Sequence, residues 1–272
     1  MMSMIAFLPM YAVRGAREHA DMLWSCLRDS LRRSGFEAPE QVSSITPRVD
    51  GWLHPDLILG QTCGLPYITR LCDRVELVGT PDYGLEGCEP GFYHSTFVVS
   101  AADRRQHLSG FFGATLAVNG KDSQSGYGAM MRAAAPLAKA GRFFGRAIHT
   151  GSHDASMRLV AEGAADIAAI DSVTWRMSRA FDPLTRGLKS IGTSEPTPGL
   201  PFIVAMGRFD SGLFDAVRAG VAALPLGTRE AFGLRDVVQL RRADYEIIKT
   251  NLMQAEAWHS LPELEEMPAR PL

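Results

Sequence analysis

Cysteine is scarce in this chain, with four in 272 residues. That is too few for a disulfide scaffold. No Cys-x-x-Cys occurs, and the spacings match no zinc pattern. A surplus of one charge is missing as well. Lys and Arg number 28 against 30 Asp and Glu, a net charge of −2. This excludes the global basic excess that a nucleic-acid binder carries. No apolar run approaches the roughly 18 residues that a membrane-spanning helix needs. There is no internal repeat and no low-complexity segment. The common nucleotide signatures, Gly-x-x-x-x-Gly-Lys-Ser/Thr and Gly-x-Gly-x-x-Gly, are absent. So is the Gly-x-Ser-x-Gly elbow of hydrolases. Residues 1–11 contain no basic residue and only a short apolar run, which does not read as an export signal. The start is compatible with a cytosolic protein, or with a mature or mis-started form of an exported one.

What is present is a globular composition, 46% hydrophobic and 21% charged. Short apolar strands alternate with helices. Strands are expected at 5–10, 56–60, 75–79, 93–99, 115–118, 143–149, 166–170, 187–193 and 202–206. Residues 14–34 read as an amphipathic helix, with Leu23, Leu27 and Leu31 repeating every four residues and Cys26 on the same face. Further helices are expected at 126–140, 153–162, 172–180, 210–223 and 243–258, and a tail over 261–272. Such alternation predicts an α/β protein with mostly parallel sheets. Charge is segregated: residues 101–196 hold 12 Lys and Arg against 8 Asp and Glu, the remainder 16 against 22. The middle of the chain is therefore electrostatically distinct.

Three segments share one design, a strand, a turn of small polar residues and a helix start. They are Asn119-Gly-Lys-Asp-Ser-Gln-Ser-Gly126, His149-Thr-Gly-Ser-His-Asp-Ala-Ser156 and Ala169-Ile-Asp-Ser-Val-Thr174. Helix starts leave N–H groups without partners and favour anions. Plain N-capping accounts for any one such turn. Three in succession point to a ligand site at one edge of a parallel sheet, to which Ser123, Ser125 and Ser152 would add hydroxyl donors. Ser125, His153 and Asp171 also form the residue set of a hydrolase triad, but without the nucleophile elbow. His149 and His153 straddle a turn and make a poor zinc pair. No metal or cofactor is expected. A fourth donor-rich segment, Gln61-Thr-Cys-Gly-Leu-Pro-Tyr67, follows a strand. Cys63 and Cys88 both sit beside turns, and the residues alone leave open whether they are separate thiols or a bridge.

Taken together, Gln61 to Tyr67, Gly79 to Tyr93, Ser123 to Gly126 and Gly151 to Asp171 resemble, in order, segments of one family. The chain looks like the phosphate, phosphite and phosphonate substrate-binding proteins of ABC importers, over about residues 4–257. The resemblance implies the two-lobed type II periplasmic binding protein fold: two parallel-rich sheets joined by two hinge crossings. These are placed near residues 100–103 and 195–201, where Pro196, Pro198 and Pro201 suit an extended strand. Lobe one would be 1–100 plus 197–272, and lobe two 101–196.

The resemblance further implies a small oxyanion or zwitterion held in an interlobe cleft for an ABC permease. Ser123, Gln124, Ser125 and Gly126 would form the anion loop, and His153 and Asp171 would be ligand residues. Tyr11, Gln61, Thr62 and Tyr67 would line the cleft. Gln124 stands where the phosphonate binders carry a hydroxyl residue. A periplasmic location and a Cys63–Cys88 bridge, which requires an oxidising compartment, are implied in the same way. A cytosolic enzyme or ligand sensor on the same fold is the rival reading, with His153 and Asp171 as its acid–base pair.

Overall fold

The computed structural model describes residues 4–11 and 13–267. The chain divides into two compact units. One takes the chain up to Tyr93 together with Thr197–Ile247. The other takes His94–Pro196 and the chain from Ile248.

Thirteen strands are present among the described residues. In chain order they are β1 (Ile5–Phe7), β2 (Leu57–Gln61), β3 (Val75–Asp82), β4 (Phe92–Tyr93), β5 (Ser95–Ser100), β6 (Thr115–Val118), β7 (Arg146–His149), β8 (Ile167–Asp171), β9 (Leu188–Thr193), β10 (Thr197–Pro198), β11 (Phe202–Ala205), β12 (Asp236–Val238) and β13 (Leu264–Glu266).

The first unit holds a five-stranded sheet of order β1-β2-β11-β3-β12. β1 and β2 are parallel, whereas β11 runs against both β2 and β3, and β12 against β3. This sheet is therefore mixed, and the expected parallel-rich character belongs to the second unit alone. The reason is local. β10 pairs antiparallel with β4 just after the chain re-enters this unit, so β11 starts from the end at which β3 leaves. Its Phe202 lies opposite Gly79 and its Ala205 opposite Val75.

The Leu23, Leu27 and Leu31 stripe is buried on the helix Arg17–Arg33. It packs against the helix Ser211–Ala222. A Cβ on Gly220 would stand 2.9 Å from the Leu27 Cα, so the glycine lets the two helices meet closely. Cys26, expected in that core, is half-buried at the margin of the stripe.

The second unit holds a six-stranded sheet of order β13-β7-β6-β8-β5-β9. The first four strands are mutually parallel; β5 runs against β8 and β9. Both faces are covered, which is why these strands read as near-continuous apolar runs. Phe97, Val99, Leu116, Val118, Ile167 and Ala169 enter one core with Met130 and Phe144. The alternate residues Val98, Ala117, Ala168 and Ile170 enter another with Met157 and Val160 of the helix His153–Ala161.

Two boundaries differ from the sequence expectation. The first passage between units falls between Tyr93 and His94, not at 100–103. Ser95–Ser100 cannot be a connector, because β5 is an interior strand hydrogen-bonded on both sides. The chain from Ile248 onward belongs with the second unit rather than the first. Here Ala255 enters the Phe97 core, and residues read as tail form β13, which pairs with β7. The second passage, between Pro196 and Thr197, falls within the expected 195–201. A third lies within the helix Arg242–Trp258, so the chain passes three times between the units where two crossings were expected. The expected tail residues 268–272 lie outside the described residues.

Candidate functional site

β7, β6 and β8 are adjacent and parallel, so the turns that follow them emerge at one edge of the sheet. These are the three polar turns singled out in the sequence. The turn after β6 is stitched to itself. Ser123 Oγ accepts from Gly126 N at 3.0 Å, and Tyr127 N and Gly128 N both donate to Ser123 O. Gln124–Gly128 form one π-helical turn before the α-helix Ala129–Ala134, a local widening that recurs at functional sites. Gly126 is required there, since its Cβ would meet Asn119 Oδ1 at 1.8 Å. Ser123, Gln124 and Ser125 are all buried.

The turn after β7 is pinned to the β6 end through Thr150, whose N donates to Val118 O at 2.8 Å. Ser152 caps the helix His153–Ala161, accepting from Ala155 N at 3.1 Å. Its hydroxyl oxygen is thus the acceptor that caps this helix. Asp171, 2% exposed at the end of β8, caps the helix Ser172–Phe181 by accepting from Thr174 N at 2.8 Å.

The three turns meet at His153. Ser125 Oγ lies 2.9 Å from His153 Nε2, and the Asp171 main-chain N–H donates to the same nitrogen at 3.5 Å. Ser123 Oγ is 3.5 Å from Ser125 Oγ. Ser123, Ser125, His153 and Asp171 therefore form one hydrogen-bonded cluster, and Gln124 and Gly126 belong to its turn. Capping and convergence hold together: the residues that start the helices also form the cluster.

Two residues of this region, His94 and Thr96, were not singled out in the sequence. Both meet Ser172 of the third turn: Ser172 Oγ is 2.7 Å from His94 Nδ1 and 2.8 Å from Thr96 Oγ1, and its N donates to His94 O. The signal for His94 was its place between Tyr93 and Ser95, which a strand pattern conceals.

Tyr11, Gln61, Thr62 and Tyr67 lie in the first unit, all buried. Gln61 Nε2 donates to Tyr83 OH and to Leu200 O, each at 3.3 Å. Tyr11 packs edge-on against Tyr83, with ring centroids 5.4 Å apart. The sequence reading passed over Tyr83, which links these two residues. Thr62 Oγ1 donates to Cys63 O at 3.3 Å. Tyr67 packs edge-on against Tyr245, with ring centroids 4.9 Å apart, and burial pushes its phenol up to about 12. Within their own unit Gln61, Thr62 and Tyr67 are engaged in structural contacts.

All four cysteines are thiols in the structure, so the Cys63–Cys88 bridge implied by the resemblance is not formed. Burial, with the Asp82 carboxylate nearby, pushes the Cys88 thiol up to about 11. The residues alone could not settle pairing, because it depends on how two loops approach each other.

An α/β chain of two units, one with polar turns gathered at the edge of a parallel-rich sheet, has the fold of the solute-binding proteins. Among solved structures it is similar to PhnD1 from Prochlorococcus marinus in complex with methylphosphonate, with a TM-score of 0.72 and 16% identity over 93% of this chain and 97% of that one. It is likewise similar to a binding protein component of an ABC phosphonate transporter from Pseudomonas aeruginosa, at TM-score 0.67, 14% identity and coverage of 93% and 87%. The periplasmic aliphatic sulphonate binding protein SsuA from Escherichia coli matches at TM-score 0.60, 13% identity and coverage of 99% and 94%. No curated protein matches the sequence.

Residues 59–245 match the family described as ABC transporter, phosphonate, periplasmic substrate-binding protein, and the chain belongs to that family. It is a solute-binding protein of the ABC-transporter type. The family is one of transport components, not of enzymes. Among the described residues no helix is long and apolar enough to cross a membrane.

Proposed function

We infer that this protein captures a small phosphonate-like oxyanion or zwitterion at the turns after β6, β7 and β8, and delivers it to an ABC permease from the periplasmic side. The observation that carries this reading is the convergence of Ser123, Ser125, His153 and Asp171 from three separate turns into one hydrogen-bonded cluster. Hydrogen bonds to a charged group contribute about 1.5–3 kcal/mol each. A few of them reach micromolar affinity, roughly −8 kcal/mol, after the costs of association.

Asp171 narrows the ligand class. A carboxylate beside a fully ionised phosphonate is repulsive, but it favours an ammonium group or a protonated oxygen. Titration calorimetry with methylphosphonate, phosphite, phosphate and a small aminophosphonate tests the reading. Binding of at least one, lost about tenfold or more in Ser125→Ala with an unchanged melting temperature, is the expected result. An Asp171→Asn protein with unaltered affinity for the preferred ligand would remove the carboxylate's role.

A further inference from the structure

We propose that the turn cluster of the second unit selects a tetrahedral oxyanion carrying one proton, because His153 fixes Ser125 as a hydrogen-bond acceptor. The inference rests on the ligand reading above and deepens it from a ligand class to a protonation state.

The geometry decides the direction of one hydrogen bond. A main-chain N–H can only donate, and that of Asp171 points to His153 Nε2. Nε2 therefore carries its lone pair, and the ring proton resides on Nδ1. A proton on Nε2 would face the Asp171 N–H directly. It follows that Ser125 is the donor in its 2.9 Å contact with Nε2. A serine hydroxyl has a single hydrogen. With that hydrogen on His153, Ser125 offers a ligand only lone pairs.

Ser123 has the opposite character. Its Oγ already accepts from Gly126 N, and its own hydrogen is then the donor in the long 3.5 Å contact with Ser125, which a nearer outside acceptor can replace. The two hydroxyls lie 3.5 Å apart in a buried turn. One donates and the other accepts. The complement of that pair is an HO–P–O⁻ edge, in which the ionised oxygen accepts from Ser123 and the hydroxyl donates to Ser125. A fully ionised phosphonate lacks the hydrogen that Ser125 needs, and so does a sulfonate.

A ligand without a proton can be accommodated only if His153 takes one up. Nε2–H would then donate to Ser125, whose hydroxyl turns outward as a donor. In either case ligand and histidine together hold one added proton. The charged groups around His153 are Asp171 on β8, Asp154 on its own helix, held by Arg158 at 3.0 Å, and the exposed Lys121 and Asp122 ahead of Ser123. Arg186 and Lys189 lie on the turn and strand that also pack against this helix, while β5 and β6 contribute none.

Two measurements test the proposal on the full chain. Calorimetry with methylphosphonate and methanesulfonate is run in buffers of different ionisation enthalpy, above the second pKa of the phosphonate. We expect methylphosphonate to bind with uptake of about one proton and to weaken about tenfold per pH unit. Methanesulfonate should bind at least about tenfold more weakly at the same pH. In His153→Gln the ratio between the two ligands should shrink, with the melting temperature as a check on folding.

Methylphosphonate binding with no proton uptake, or methanesulfonate binding equally well, overturns the protonation inference and leaves the ligand reading standing. Binding of neither removes both. If His153→Gln does not fold, nitrogen NMR of the histidine rings gives the answer without a ligand. An unprotonated Nε2 at neutral pH supports the proposal, and a proton on Nε2 overturns it.

Discussion

Gly126 and Asn119 approach so closely that a single added methyl group would stand 1.8 Å from Asn119 Oδ1 and 2.8 Å from its Cγ. The glycine is needed for space, not for backbone freedom. Its amide is the group that Ser123 captures, so displacing it opens the whole π-helical turn. Gly126→Ala should therefore destabilise the second unit by about 1–3 kcal/mol and abolish ligand binding. Asn119→Ala combined with Gly126→Ala should recover most of the stability, because the smaller side chain vacates the clash. Chemical denaturation of both variants checks this, and a double variant no more stable than the single one would place the strain elsewhere.

The helix pair of the first unit makes a separate prediction. Leu27 is fully buried, and its Cα faces Gly220 across the contact. Leu27→Ala leaves a cavity where the helices are already at close approach and cannot collapse further. A loss of about 2–5 kcal/mol is expected, read as a lower denaturant midpoint with an unchanged slope.

Acid stability should depend on Asp103. Hydrogen bonds from the Arg105 guanidinium, at 2.5 to 3.1 Å, hold its carboxyl below the usual carboxylate range. Arg105 also donates to Asp166, which in turn accepts from Thr115 N at the start of β6. The folded pKa of Asp103 is lowered, so its contribution is fully present above the unfolded carboxylate pKa and is lost as pH falls through the folded value. Asp103→Asn should thus be less stable than the parent at neutral pH. The difference should narrow on acidification. Urea unfolding at stepped pH values reads this, and a gap that widens in acid would contradict it.

Thiol counting tests the cysteines. After denaturation under non-reducing conditions, four thiols per chain should react. In the folded protein Cys88 should be among the slow ones, since only the thiolate attacks and its pKa is raised to about 11. Two reactive thiols in place of four would show that Cys63 and Cys88 pair after all.

Much of this was legible in the sequence, and the parts that were not share a cause. The Leu23, Leu27 and Leu31 spacing gave the first helix because helical periodicity is a local signal. The three turns were legible because small polar residues after a strand have few other uses. Their meeting at His153 follows from the adjacency of β7, β6 and β8, which no local pattern encodes. The same gap explains β5. Its apolar run announced a strand, but nothing in Ser95–Ser100 says which sheet it joins. β13 was read as tail because Leu264–Glu266 has two acidic residues and little β-propensity. Its place is secured by partners far away in sequence, Arg146 for Glu265 and His149 for Glu266. The π-helical turn at Gln124–Gly128 departs from the expected helix start by an amount that composition cannot express.

β13 also has a bearing on solubility. It runs alongside β7 and lines the outside of the sheet with two carboxylates. Without it the row of main-chain donors and acceptors on β7 would be an open template for strand addition by another molecule. A chain cut ahead of Leu264 would keep the Ser125–His153 contact yet carry an adhesive rim beside it, and self-association rather than lost affinity would be the mark of its shortening.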